Sequence, residues 1–135
     1  MIETPIHREY VRTDNWSVVA KIHKDKDADT EEWTEVKVPD LAAGGLLFLT
    51  DLTFEKGDEL WFDLEIDPMT PGIYGKIRMK AKGEIRGDRG IRDEKHAYSV
   101  EFLEISETDK IRLDELILLN TIKYKVDAET DIFDR

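Results

Sequence analysis

Two short segments of the chain contain residues whose types and spacing suit recognition of a charged ligand. The first holds two arginines four positions apart, Arg8 and Arg12. A guanidinium group is planar and always charged, and it can donate two parallel hydrogen bonds to acceptors such as phosphate oxygens. The second segment runs from Asp40 to a glycine pair, Gly44 and Gly45, and leads into an apolar stretch. Each segment alone also fits a purely structural interpretation, as a surface arginine pair or as a tight turn.

Residue patterns typical of enzymes and metal sites are missing from the sequence. The chain has no cysteine, which excludes a thiolate nucleophile, a cysteine zinc site and disulfides. Its three histidines, His7, His23 and His96, do not have metal-ligand spacing. Phosphate-loop, dinucleotide-binding and nucleophile-elbow patterns are also absent. We therefore expect a protein that is not an enzyme and that uses no catalytic residues, cofactor or metal.

The acidic run Asp25–Glu32 imitates the start of a calcium-binding loop, because aspartates occupy alternate positions. Such a loop needs a glycine at its sixth position and a bidentate glutamate at its twelfth. These two positions are Thr30 and Val36 in this chain. The run is therefore predicted to be an exposed, charged hairpin loop.

Charge and hydropathy limit the partners that we expect. The 135 residues include 31 acids and 20 bases, and the net charge of −11 disfavours general binding to nucleic acid. The charge is uneven, since Asp25–Glu35 holds six acids and one lysine whereas Lys76–Lys95 holds eight bases and four acids. A local basic pocket for a small anion is compatible with this distribution. No apolar run approaches the ~20 residues of a membrane helix, so we expect no membrane insertion and a cytoplasmic location.

Alternating apolar and polar residues predict a mostly β structure. Leu60–Asp67 and Lys76–Gly87 alternate with a period of two, as strands with one buried face do. Further predicted strands are Trp16–Ile22, Glu35–Val38, Leu46–Thr50 and Ala97–Ile105. Turns are predicted at Gly57–Asp58, from Pro68 to Gly72 and from Gly87 to Gly90.

The pattern changes from strand to helix after the last predicted strand. Ser106 and Asp109 have the spacing of a capping box, and the helix is predicted to start near Glu107 and to run for about 15 residues. The residues of one helical face are Leu113, Leu116, Ile117 and Asn120. The acidic end, Val126–Arg135, has no pattern and is predicted to be a loose tail. Short strands followed by one helix predict a small barrel or sandwich capped by that helix.

Together and at this separation, the two opening segments resemble the signature of the PilZ domain family. That signature is Arg-x-x-x-Arg ahead of the first strand, followed by Asp/Asn-x-Ser-x-x-Gly. Arg8 and Arg12 match the first element, and Asp40 and Gly45 match the ends of the second. Four further stretches are similar to the family: Gly44–Phe48, Lys56–Leu60, Lys80–Arg86 and Tyr98–Phe102.

The resemblance covers about residues 6 to 124 and implies a domain organisation. Residues 1–12 would be an N-terminal segment with the arginine motif, residues 13–125 the barrel with its terminal helix, and residues 126–135 the acidic tail. The implied fold is all-β with a C-terminal helix, a six-stranded antiparallel PilZ-type β-barrel.

The resemblance also implies a function, the non-enzymatic binding of the bacterial second messenger cyclic di-GMP. The ligand would order the N-terminal segment and so signal to a downstream protein, which the sequence does not name. Arg8 and Arg12 would clamp guanine edges and phosphates. Asp40 would accept hydrogen bonds from guanine N1–H and the N2 amine, and Gly45 would allow close approach of the ligand to the backbone.

The chain departs from the family signature at one position, because the central serine is Ala42. Ala42 can donate only its backbone N–H to the ligand. An alternative function is therefore a PilZ-fold interaction module that binds cyclic di-GMP weakly or not at all. A third alternative, an enzyme or a binder of single-stranded nucleic acid on a similar barrel, is disfavoured by the missing catalytic residues and the net charge.

Two features of the strands have two interpretations each. Trp61 could stack on a base, or it could pack against the helix or a partner. The basic face from Lys76 to Arg86 could steer a dianion, or it could be an ordinary solvated strand face.

Overall fold

Seven antiparallel strands and one C-terminal helix make up the described part of the chain. The structure is a computed structural model that describes residues 11–12, 17–67 and 76–118. The strands are β1 (Val11–Arg12), β2 (Ser17–His23), β3 (Thr34–Ala42), β4 (Gly45–Thr50), β5 (Glu59–Asp67), β6 (Ile77–Arg92) and β7 (Lys95–Glu104). A short 3-10 helix, Thr30–Glu32, lies in the exposed loop between β2 and β3, and the helix α1 covers residues 107–118.

Strands β2 to β7 close into a six-stranded barrel. Their hydrogen-bonded order is β3-β2-β5-β6-β7-β4, and pairing of β4 with β3 completes the ring. Strand β1 pairs with β3 at Asp40 and Leu41, beyond the part of β3 that pairs with β2. The predicted all-β fold, a six-stranded antiparallel barrel with a C-terminal helix, is confirmed.

The barrel interior is filled by the apolar residues that alternate along the strands. Phe48 lies at its centre, with its ring centroid 5.5 Å from that of Phe62 and 5.8 Å from that of Tyr98. The apolar face predicted for α1 packs on the same core through Leu113, Leu116 and Ile117. The predicted cap is also present, since the Asp109 N–H donates to Ser106 Oγ at 3.1 Å.

The turn predicted from Gly87 to Gly90 is wrong. Strand β6 continues through these glycines to Arg92, and the chain reverses at Asp93 and Glu94, both with positive φ. Of the three register shifts between β6 and β7, those after Ile85 and after Asp88 leave extra residues of β6 in bulges along this stretch. The hairpin itself is a two-residue turn, for which positive φ at both residues matches the twist of the strands.

Several sequence predictions fall on residues that the structure does not describe. These are the N-terminal segment up to residue 10, the turn from Pro68 to Gly72, Asn120 and the acidic tail Val126–Arg135. In the parts that are described, no helix combines the length and apolar character needed to cross a bilayer. The same parts contain no cluster of three histidine, aspartate or glutamate residues suited to a metal ion.

Candidate functional site

The second sequence motif lies on β3 and β4, and strand β1 pairs beside it through the backbone of Arg12. Arg12 of β1 is the register partner of Asp40 in β3, and Asp40 is in turn the partner of Leu47 in β4. Leu47 pairs with Ser99 of β7, and Ser99 pairs with Gly87 of β6. These five residues form one continuous row across five adjacent strands. Residues opposite each other in a ladder share a face of the sheet, so the side chains of Asp40, Leu47 and Ser99 share the outer face of the barrel.

A bulge in β3 directs Asp40 to this surface. Val38 and Leu41 are both buried in the core although they are three residues apart, which strict alternation does not allow. The register between β3 and β4 shifts between Lys37 and Asp40, which means that β3 has an extra residue there. Because of this bulge, the side chains of Val38 and Leu41 can both point into the core. Asp40, which precedes Leu41, is consequently turned to the outer face, and Ala42 lies on the same side of the strand but is buried.

A cleft of about 310 Å³ lies over the row. It is lined by Asp40, Leu46, Leu47, Arg89 and Ser99. Its volume is at the lower end of the range for small-molecule pockets. The Ser99 hydroxyl lies 3.5 Å from the Gly87 carbonyl oxygen, to which it can donate, and Leu47 is partly exposed. The cleft therefore combines an apolar floor with a carboxylate, a hydroxyl and a guanidinium group.

Asp40 forms an ion pair with an arginine that is distant in sequence. Arg92 Nη1 lies 3.4 Å from Asp40 Oδ2, and the two side chains are 39% and 22% exposed. A carboxylate has two oxygens and can accept several hydrogen bonds, so the ion pair leaves acceptor capacity for a ligand. Asp40 thus lies between the β1 position of Arg12 and the β6 position of Arg92.

The hairpin between β3 and β4 contains the remaining motif residues. Ala42 is the register partner of Gly45, and Ala43 and Gly44 form the two-residue turn between them. Ala42 is only 4% exposed. A Cβ on Gly45 would overlap the carbonyl oxygen of Val100 in β7, so this glycine allows β4 and β7 to lie close together. The structure therefore supplies a packing reason for Gly45 in addition to the ligand approach that the resemblance implies.

The structure describes most of the predicted site residues but not all of them. Asp40, Ala42 and Gly45 lie together in the β3–β4 hairpin, and Arg12 is brought to them by its backbone pairing with Asp40. Arg8 lies outside the described residues. The structure thus assembles the second motif and joins it to the last arginine of the first.

Sequence reasoning missed Arg89, Arg92, Leu47 and Ser99. A signal for the arginines was present, since Arg86, Arg89 and Arg92 recur at every third position within the basic stretch. The incorrect turn at Gly87–Gly90 concealed it, because a turn would have carried these side chains away from the sheet. Leu47 and Ser99 are an ordinary strand leucine and serine, and only the ladder register shows that they adjoin Asp40.

The basic face of β6 is paired with acidic residues, mostly from β5. The cross-strand pairs are Lys76–Glu65, Arg78–Asp63 and Lys82–Glu59, with N–O distances of 3.7, 3.5 and 3.0 Å. The hydrogen bond and charge of Glu59 raise the pKa of Lys82 above its ordinary value. These contacts favour the interpretation of Lys76–Arg86 as a solvated strand face.

Trp61 lines a different concavity from Asp40. Its indole ring lies under Lys26, whose Nζ is 5.0 Å from the ring centroid. The groove beside it has a volume of about 740 Å³ and also includes Lys80, Ala43 and Gly44. The groove beside Trp61 and the cleft over Asp40 share no lining residue.

Comparisons with known proteins match this architecture. The chain is similar to a solved structure of the Bacillus subtilis inhibitor of motility (MotI/DgrA), with 20% identity and a TM-score of 0.66, over 88% of this chain and 53% of that one. It is also similar to YcgR from Escherichia coli, solved in complex with c-di-GMP, with 16% identity and a TM-score of 0.62, over 93% of this chain and 50% of that one. The chain therefore spans about half the length of these structures. No match was found among curated proteins.

The sequence itself carries the family assignment. The family model of the PilZ domain matches residues 6–119, a range that includes both motifs and every strand of the barrel. The chain belongs to the PilZ domain family.

Proposed function

We propose that this protein is a receptor for cyclic di-GMP, which it binds without chemical change on the outer face of the barrel. The observation that carries the proposal is the register pairing of Arg12 with Asp40 in a PilZ domain. This pairing supports the proposal because it sets the backbone of one motif arginine beside the aspartate of the second motif. The YcgR structure in complex with c-di-GMP supplies a precedent in the same fold.

The residue types of this surface complement the ligand. Cyclic di-GMP has two guanines and two phosphodiester charges. Arg8 and Arg12 would donate paired hydrogen bonds to phosphate oxygens or to guanine O6 and N7. Asp40 would accept from the N1–H and N2 amine of a guanine, an edge that adenine does not present. The ligand therefore calls for guanidinium groups and one carboxylate, which are the residue types of the two motifs.

The floor of the cleft suits a flat base. Leu47 is a partly exposed apolar residue between Asp40 and Ser99 in the row. Gly87, at the end of the row, has no side chain that would rise above the sheet. A guanine face could therefore lie over Leu47 while its edge is read by Asp40.

The proposed output is a change in the N-terminal segment. Strand β1 has only two residues and pairs with β3 through Val11 and Arg12. Ligand bound between Arg8, Arg12 and Asp40 would fix the segment that precedes β1 against the barrel. The altered surface would be met by a downstream protein, and a second messenger of this kind implies a role in the bacterial cytoplasm.

A second candidate function is a PilZ-fold interaction module with little affinity for the nucleotide. Ala42 is the observation that favours it, because the signature serine and its hydroxyl are missing. The retained Asp40, Gly45 and arginine pair support the receptor instead. Loss of one neutral hydrogen bond costs about 1 kcal/mol, which weakens binding only about fivefold.

Calorimetric titration of the purified chain with cyclic di-GMP, with GTP as the control, separates the two functions. The receptor binds cyclic di-GMP with saturation and releases little or no heat with GTP. Absence of binding to either nucleotide by a folded protein would favour the interaction module.

A further inference from the structure

Arg89 projects from a bulge of β6 whose backbone is held in place. Its neighbours Asp88 and Ile91 pair with Tyr98 and His96, so Arg89 and Gly90 have no register partner in β7. Asp88 Oδ1 accepts a hydrogen bond from the Gly90 N–H at 2.7 Å, and Gly90 has a φ of 86°. Bulges commonly redirect a side chain next to a functional site. Here the bulge brings Arg89 to the wall of the cleft that contains Asp40.

Arg89 also differs from the other cations of its strand. Within the described residues, the remaining arginines and lysines of β6 all have a partner, either a carboxylate or, for Lys80, the Trp33 ring. Arg92, three residues further on, is paired with Asp40. Arg89 is exposed and has no acidic partner in the described part of the chain. An unpaired guanidinium at the wall of a cleft is suited to an anionic group of a ligand.

Arg89 lies on β6, the strand at the other end of the row from Arg12. Arg12 is at the β1 end of the row and Gly87 at the β6 end, with β3, β4 and β7 between them. Four ladders separate the two ends, roughly 19 Å along the sheet. Asp40, the register partner of Arg12, and Arg89 nevertheless line the same cleft, so a ligand held there meets a cation on its β6 side.

We propose that Arg89 is a third ligand-binding arginine of this site, and that it binds a phosphodiester group of cyclic di-GMP from the β6 side. The inference rests on the proposed function and extends it to a residue outside both sequence motifs. In this arrangement Arg89 takes one phosphate, and Asp40, held by Arg92, accepts from the base.

The test is calorimetric titration of the full chain with cyclic di-GMP, comparing Arg89→Ala with a matched control, Arg78→Ala. Arg78 is an exposed arginine of the same strand that lies outside the cleft and faces Asp63. We expect Arg89→Ala to weaken binding about ten- to hundredfold and Arg78→Ala to change it less than about twofold. Arg89→Lys should recover only part of the affinity, because it keeps the charge but not the planar fork. The melting temperature of each variant should match that of the parent.

Two results overturn the inference while the proposed function stands. In the first, the parent binds cyclic di-GMP, Arg12→Ala loses binding and Arg89→Ala binds like the parent. The other is equal weakening by Arg89→Ala and Arg78→Ala, which would indicate general attraction to positive charge. If the parent itself does not bind cyclic di-GMP, the proposed function fails and this inference fails with it.

Discussion

Arg12 and Asp40 are direct partners in the antiparallel ladder between β1 and β3. The whole β2–β3 hairpin separates them in sequence, and the ladder register brings them to the same position across the sheet. Asp40 is contacted from the other direction by Arg92 of β6, at 3.4 Å. A carboxylate placed between two arginine positions is suited to read a base while the cations hold phosphates.

Arg12→Ala should remove most cyclic di-GMP binding and leave the fold nearly unchanged. A hydrogen bond to a charged group contributes about 1.5–3 kcal/mol, so the affinity should fall about ten- to hundredfold. Stability should be little affected because β1 contributes only two residues to the ladder. Arg8→Ala should behave in the same way. Isothermal titration and thermal melting of the same samples check both points, and parental affinity in both variants would show that the motif does not bind the ligand.

Arg12→Lys separates geometry from charge. Lysine keeps the positive charge but cannot donate two parallel hydrogen bonds, so we expect an affinity close to that of Arg12→Ala. Titrations at low and high salt provide the measurement. Near-parental affinity with steep salt dependence in the lysine variant would mean that only general attraction to phosphate matters.

Asp40→Asn should weaken cyclic di-GMP binding and reduce the preference for guanine over adenine. The carboxylate accepts from two donors of guanine, whereas an amide offers one acceptor and two donors. Competition between cyclic di-GMP and cyclic di-AMP measures the preference as a ratio, which is insensitive to a general loss of anion affinity. The substitution also removes the charge facing Arg92. An unchanged ratio would mean that Asp40 only stabilises the strand pairing.

Gly45→Ala should destabilise the barrel, and Gly44→Ala provides the matched control one residue away. A Cβ on Gly45 meets the Val100 carbonyl oxygen, which belongs to the backbone and cannot move aside without shifting β7. A Cβ on Gly44 has no neighbour within 4 Å. We expect Gly45→Ala to lower the free energy of unfolding by about 1–3 kcal/mol and Gly44→Ala to change it by less than about 1 kcal/mol. Urea denaturation measures both, and equal effects would refute the packing role of Gly45.

The fold could be predicted because its signals are local. Alternation in Leu60–Asp67 follows from one buried and one solvated face, and the observed strand Glu59–Asp67 agrees closely. The change of period after Ser106 likewise predicted α1 and its cap. The bulges of β6 could not be predicted, since glycines at 87 and 90 fit a turn as well as a bulged strand. The reversal at Asp93 and Glu94 requires positive φ at two residues that are not glycine, which sequence propensity does not favour.

The candidate site could be predicted only where the family signature marks it. Asp40, Ala42 and Gly45 are adjacent in sequence, so one hairpin positions them together. Arg89 and Ser99 lie on separate strands, and their approach to Asp40 depends on the register of the β3–β4, β4–β7 and β6–β7 ladders. Such long-range register is set by how the barrel closes, and no short segment of the sequence encodes it.

Ala42→Ser tests whether the departure from the family signature has a functional effect. Alternation along β3 sets Ala42 on the same side of the strand as Asp40, although Ala42 is itself buried and does not line the cleft. A serine hydroxyl at this position can therefore be directed towards a ligand bound beside Asp40. We expect the affinity for cyclic di-GMP to rise about three- to tenfold, the effect of roughly one restored neutral hydrogen bond. Because Ala42 is only 4% exposed, the competing outcome is a hydroxyl buried without a partner, which would lower the melting temperature and leave the affinity unchanged. Titration and thermal melting of parent and variant distinguish these outcomes, and absence of binding by both proteins would favour the interaction module.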